Sequence, residues 1–224
     1  DSSFCINSPF RDWSFNLLED LCAYPIDGIF FDGPVFFMRR GACYCQHCRR
    51  LFQQAYQREI PGPDQNNKEQ YSLLREFTVS SMVRFYHDAM QVVRKGGSNL
   101  VGYGNYANVA EPDWAAGRVN RRLISEMDAL LAEGGFIYGR ASKAVYKTGA
   151  SSRLYETQAG GKPSINAVSM AFSPWRWVSL TSSETQVLLS EASVGVNPYY
   201  AIFLQGIDMP GIEGAAEVYG FLEK

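Results

Sequence analysis

The chain has 224 residues, 46% of them hydrophobic and 20% charged, with a formal net charge of −2 and a pI near 5.8, which is enough for one large core. The near balance of charge, with no run of basic residues, removes any electrostatic case for a nucleic-acid or anionic-membrane partner and leaves a small neutral substrate as the better fit. No segment approaches the roughly 18 consecutive apolar residues of a membrane helix, and the N-terminus carries neither a basic stretch nor an apolar signal core.

In chain order, short β-rich runs alternate with longer helical patterns, the signature of parallel βα units in one domain spanning 1–224. The opening DSSFCINSP reads as a strand already under way, Phe4 to Asn7, so further sequence is expected before Asp1. Trp13 to Tyr24 places Trp13, Leu17, Leu18 and Leu21 at helical spacing and should stop before Pro25. A strand from Gly28 to Asp32 follows. The polar segment Pro61 to Lys68 is a connection inside one βα unit. Tyr71 to Lys95 is the longest helical pattern and ends at a Gly96-Gly97 stop signal. Strands are then expected at Leu100 to Gly104, Met127 to Glu133, Pro163 to Val168 and Tyr199 to Leu204, with helices at Ser183 to Ser193 and Gly214 to Glu223.

Six such units point to an α/β chain of the (β/α)8 TIM-barrel type, lacking its first two βα units, since a full barrel has eight and about 250 residues. The rival is an open doubly wound sheet, but no G-x-G-x-x-G follows an early strand.

In a parallel barrel the chemistry sits at the C-terminal ends of strands. Asp32 ends GIFFDG, Asn105 and Tyr106 follow LVGYG, and Glu133 ends MDALLAEGG. Glycoside hydrolysis commonly takes two carboxyl groups flanking the scissile bond, and Asp32 with Glu133 could supply them. Glu111, in NVAEPDW, is the rival acid/base. The structural alternatives are an Asp capping a turn before Gly33, a Glu opening a loop, and acidic residues at a helix start near Pro112. Sugar rings stack on aromatic side chains, and Tyr106, Trp114, Trp175 and Trp177 fall in expected strand-to-helix loops.

Three of the five cysteines, Cys43, Cys45 and Cys48, lie within six residues. That crowding suits a metal better than a dispersed disulfide framework and fits a cytoplasmic protein. Structural zinc takes four thiolate or imidazole ligands, and the fourth is expected from Cys5, on the same barrel face, with His47 as a more cramped substitute. Cys22 would then be a free buried thiol, and His87 a surface or packing residue. The alternative is three reduced cysteines, with or without one disulfide, and no metal.

At GIFFDGPVFFMRRGACYCQHCRRLF the chain resembles the catalytic barrels of glycoside hydrolases. The cluster resembles the zinc site of the family 42 β-galactosidases, which implies Cys5, Cys43, Cys45 and Cys48 as ligands. Those enzymes carry an Asn-Glu pair where this chain has Gly33-Pro34, so their acid/base is absent here, and KPSINAVSMAF offers no nucleophilic Glu. The segment NLLEDLCAYPIDGIFFDG resembles the family 29 α-L-fucosidases, which implies Asp32 as the nucleophile of a Phe-Asp-Gly motif. The combination is similar to a group of bacterial glycosyl hydrolases whose barrel precedes a trimerisation domain, which would lie beyond Lys224 and make homo-oligomers.

The resulting expectation is a retaining glycosidase acting on a neutral carbohydrate, with Asp32 as nucleophile, Glu133 or Glu111 as acid/base, and structural Zn2+. The alternatives are a catalytically degenerate carbohydrate-binding barrel and a metal loop that serves an oligomer interface.

Overall fold

A computed structural model describes residues 4–32, 43–62, 67–105, 121–135, 150, 153, 157, 159–169, 180–193, 197–201 and 215–223. The chain forms two compact units, one of Asp1–Gly104 with Glu111–Asp128, the other of Asn105–Ala110 with Ala129–Lys224.

The first unit opens with a turn rather than the expected strand at Phe4 to Asn7. The Ser8 N–H returns to the Cys5 carbonyl at 3.0 Å, and the Ser8 hydroxyl donates to the same oxygen. Asn-Ser-Pro is turn chemistry, and proline's fixed φ suits the start of a helix. Helix α1 therefore runs Phe10–Cys22, earlier than its apolar spacing suggests. Of its four spaced apolar residues only Leu18 is buried, while Trp13, Leu17 and Leu21 are exposed.

Strand β1 (Gly28–Phe31) pairs in parallel with β2 (Val101–Asn105), from Gly28 opposite Val101 to Phe31 opposite Gly104. Between them lie α2 (Gln46–Tyr56) and the long α3 (Lys68–Gly96). Asn67 caps α3, its Oδ1 accepting from the N–H groups of Glu69 and Gln70 at 3.0 and 3.2 Å. The helix ends at the glycine pair, but Gly97 is extended at φ −178° and supplies no left-handed cap. Gly96 is needed for another reason. A side chain there would collide with Cys22 of α1, so its lack of one sets how closely α1 approaches α3.

Among the described residues, two apolar clusters help to hold this unit. Leu18, Ile29, Ala89 and Val93 join α1 and α3 to β1, and Cys43, Cys48, Phe52, Ile60, Leu74 and Phe77 join α2 to α3. Helix α4 (Arg121–Glu126) packs on α3. Just after it, Asp128 grips Gly102 of β2 through both its backbone N–H and its carboxylate, each at 2.9 Å. Arg94 donates to the same carboxylate at 3.1 Å.

The second unit carries three strands, β3 (Ala129–Gly135), β4 (Ser164–Ser169) and β5 (Asn197–Ala201), with β4 parallel to both others. Helix α5 (Ser182–Ala192) packs on them and on α6 (Ala215–Leu222). Val168, Leu180, Leu188, Leu189, Ala192 and Val218 form its core. Thr181 and Glu184 form a capping box at the start of α5. The register of β3 slips against β4 between Ala132 and Gly135, so Glu133 and Gly134 together stand where β4 has Ala167 alone.

Both units are α/β with parallel strands, as the βα alternation predicts. Five strands lie among the described residues rather than six, and residues 202–204 of the expected last strand lie outside them. No helix among the described residues is long and apolar enough to cross a membrane.

Candidate functional site

Cys5 lies in the first turn, Cys43 and Cys45 precede α2, and Cys48 occupies its first turn. Helix α2 was not legible as an element beside the cysteine motif, yet its signal is present: Cys48, Phe52 and Tyr56 recur every four residues. Cys48 and Phe52 are buried, and the Phe52 ring packs on Tyr56 at 4.8 Å and edge-on to Phe77 at 5.4 Å. Burying that stripe turns the cysteines of the helix start toward the chain's first turn.

The four ligand atoms all lie within 4.8 Å of one another. Cys5 Sγ is 3.4 Å from Cys48 Sγ and 3.6 Å from Cys45 Sγ. These separations are far too long for an S–S bond of about 2.05 Å, and all five cysteines are free. They fit a shared ion well, because four thiolates about 2.3 Å from a tetrahedral zinc lie about 3.8 Å apart. Four protein ligands leave no open coordination position, so such an ion would be structural. Cys5 rather than His47 completes the set, and Cys22 stands apart from it, half-buried against α3.

The protons within the cluster are unequally held. The Cys5 thiol is pulled down to about 5, first because Cys48 donates to its sulfur, while burial works in the opposite direction. The same hydrogen bond pushes Cys48 up, with burial adding to the effect. Burial raises Cys43 to about 11. Close packing of buried thiols thus makes the first ionisation easy and the next ones hard, which is the electrostatic demand a divalent cation relieves.

Asp32 follows β1 directly and lines a cavity of about 440 Å³ whose wall includes Phe10, Trp13, Leu17, Phe30 and Tyr86. Phe4, Phe10 and Trp13 form a run of stacked rings along this wall, 4.6 and 5.4 Å between successive centroids. Trp13 was legible only as one of a helical apolar stripe, and its exposure makes it a wall residue instead. The cue in the sequence is Phe10 and Trp13 three positions apart in one helix, on one side of it.

Asn105 ends β2 and is buried. Glu133 sits in the register slip of β3. Glu111, Tyr106, Trp114, Trp175 and Trp177 lie outside the described residues. His87 is an exposed residue of α3, with Nδ1 2.9 Å from Glu126 of α4, in keeping with a surface role.

No protein-family model matches the chain, and no curated protein matches it. The fold is similar to part of that of several solved glycoside hydrolases. A polyextremophilic β-galactosidase from the Antarctic haloarchaeon Halorubrum lacusprofundi superposes with a TM-score of 0.76 at 13% identity, over 100% of this chain and 43% of that one. Gan42B, a family 42 β-galactosidase, gives 0.65 at 12%, over 90% of this chain and 35% of that one. The PgaB glycoside hydrolase domain from Bordetella bronchiseptica gives 0.67 at 14%, over 94% and 63%. The chain spans less than half the length of the two β-galactosidases. At these identities the likeness is one of fold.

Proposed function

We propose that the protein is a retaining glycoside hydrolase acting on a neutral carbohydrate, with Asp32 as nucleophile and Glu133 or Glu111 as acid/base. The observation that carries this reading is Asp32 itself: a carboxylate at the C-terminal end of a parallel strand, on a cavity with stacked aromatic walls, in a fold shared with glycosidases. Strand ends are where barrel enzymes keep their chemistry. In a retaining mechanism the carboxylate attacks the anomeric carbon, a glycosyl ester forms as the protonated leaving group departs, and water cleaves the ester. Asn105, Tyr106, Trp114, Trp175 and Trp177 would contact the sugar. The role given to Asp32 is the one implied by the resemblance of its segment to family 29 α-L-fucosidases.

In the same reading the strands belong to a (β/α)8 barrel. Five strands of such a barrel lie among the described residues. Two features suit a preceding βα unit: β1 pairs on one side only among the described residues, and the apolar flank of α1 beside it is exposed. Cys5, Cys43, Cys45 and Cys48 would hold a structural Zn2+ that fixes the loop after Asp32 to the turn before α1.

The test is turnover of a panel of aryl glycosides by wild type, Asp32→Asn and Asp32→Ala. Wild type should cleave at least one substrate, Asp32→Asn should lose activity by orders of magnitude, and azide should restore Asp32→Ala by forming a glycosyl azide of inverted configuration. Full activity in Asp32→Asn would overturn the assignment. A second reading, a catalytically degenerate carbohydrate-binding barrel, is favoured by Gly33-Pro34 standing where family 42 enzymes carry Asn-Glu. Sugar binding by wild type without turnover of any substrate would select it.

A further inference from the structure

Asn7 touches the cysteine cluster from two directions. Its backbone N–H donates to Cys5 Sγ at 3.4 Å, and its side-chain Nδ2 donates to Cys48 Sγ at 3.3 Å and to Ser81 Oγ at 3.0 Å. An amide nitrogen has two protons, and both are used here. Ser81 is a buried residue of α3, a helix that contributes no cysteine to the cluster. One residue therefore joins two of the four sulfurs to each other and anchors them to the longest helix of the unit.

We propose that Asn7 is the positioning residue of the metal centre, orienting Cys5 and Cys48 for coordination through N–H to sulfur hydrogen bonds while Ser81 holds its amide in place. The inference rests on the reading of the four cysteines as a metal site. A bound thiolate can only accept hydrogen bonds, so a residue placed between two of them must present donors. Each N–H withdraws charge from its sulfur and fixes the direction of that sulfur toward the ion. Outer partners of this kind commonly change metal affinity by about 10–100-fold when removed. An aspartate here would present acceptors and a negative charge to the same sulfurs.

The experiment uses the full chain, with Zn2+ affinity measured by competition against a chromophoric chelator and Co2+ as a spectroscopic probe. Asn7→Leu should keep the intense thiolate-to-cobalt absorption of a four-sulfur site but move it to lower energy, because a sulfur without its N–H donor gives up an electron more readily. Its Zn2+ affinity should fall by about 10–100-fold, that of Asn7→Asp should fall further, and that of Ser81→Ala should fall less than that of Asn7→Leu. A role confined to folding would abolish the absorption rather than shift it. Wild-type affinity and an unshifted band in Asn7→Leu and Asn7→Asp would overturn the inference alone. Failure of the wild type to bind either ion would overturn the metal reading and the inference together.

Discussion

The sulfur of Cys5 lies 3.4 Å from that of Cys48, 43 residues further along the chain. Nothing covalent joins them, so the proximity is maintained by the burial of Cys48 and Phe52 on one side and the turn from Cys5 to Ser8 on the other.

The first prediction concerns metal and stability together. An ion that binds only the folded state adds about 4 kcal/mol when free metal exceeds its dissociation constant a thousandfold. For a chain of this size that raises Tm by about 10 °C. Calorimetry with excess Zn2+ and with chelator should therefore give transitions separated by roughly that amount, and Cys48→Ser should show no such separation between the two conditions. Identical transitions for the wild type would rule out a stabilising ion.

Packing behind the cluster gives the second. Phe52 is 1% exposed and lies between Tyr56 and Phe77, so Phe52→Ala should cost about 3–5 kcal/mol in denaturant unfolding. Because the same stripe orients Cys48, the variant should also bind Zn2+ more weakly than wild type at temperatures where it remains folded. Phe52→Leu, which keeps most of the volume, should cost less and retain the metal.

The third concerns pH. The Arg122 guanidinium, 2.7 Å from Glu76, holds that carboxyl below its ordinary value, with Ser80 assisting. A depressed folded-state pKa contributes stability that is complete above the unfolded pKa, near 4.5, and is lost as pH falls through the folded value. Both side chains are about half exposed, and solvent screening limits the contribution to no more than about 1 kcal/mol. In Arg122→Ala, NMR titration should find the Glu76 midpoint raised toward the ordinary range, and stability should fall less between pH 6 and 3 than in wild type.

Much of the fold was legible because most elements carry their own local signal. The helices now bounded as α1, α3, α5 and α6 and the strands β1 to β5 fall where periodicity and turn residues put them, within a few positions. The failure at Phe4 to Asn7 has a physical cause: three apolar residues in four look like a strand, but Asn-Ser-Pro next to them forms a hydrogen-bonded turn, and neighbouring chemistry outweighed propensity. Helix α2 was hidden by its own polarity. Five of its eleven residues are Gln or Arg, and they interrupt an apolar face of Cys48, Leu51, Phe52 and Tyr56.

At the candidate site, spacing alone brought Cys43, Cys45 and Cys48 together, while Cys5 was reached through an expected strand end that is in fact a turn, and through the family 42 resemblance. Its partner Asn7 could not be found that way, since an asparagine in a turn gives no sign of what its amide will touch. The aromatic wall at Asp32 was hidden for the opposite reason. Trp13 and Leu17 match a core stripe in period, and only the folded chain reveals that solvent reaches them.

That flank has a colloidal consequence. An apolar helix face beside a strand that pairs on one side only among the described residues is the kind of surface on which a second chain can add by the rules that build a sheet. Exposed apolar side chains such as Trp13 and Leu17 next to a strand edge favour self-association, which polypeptide lying across them would suppress.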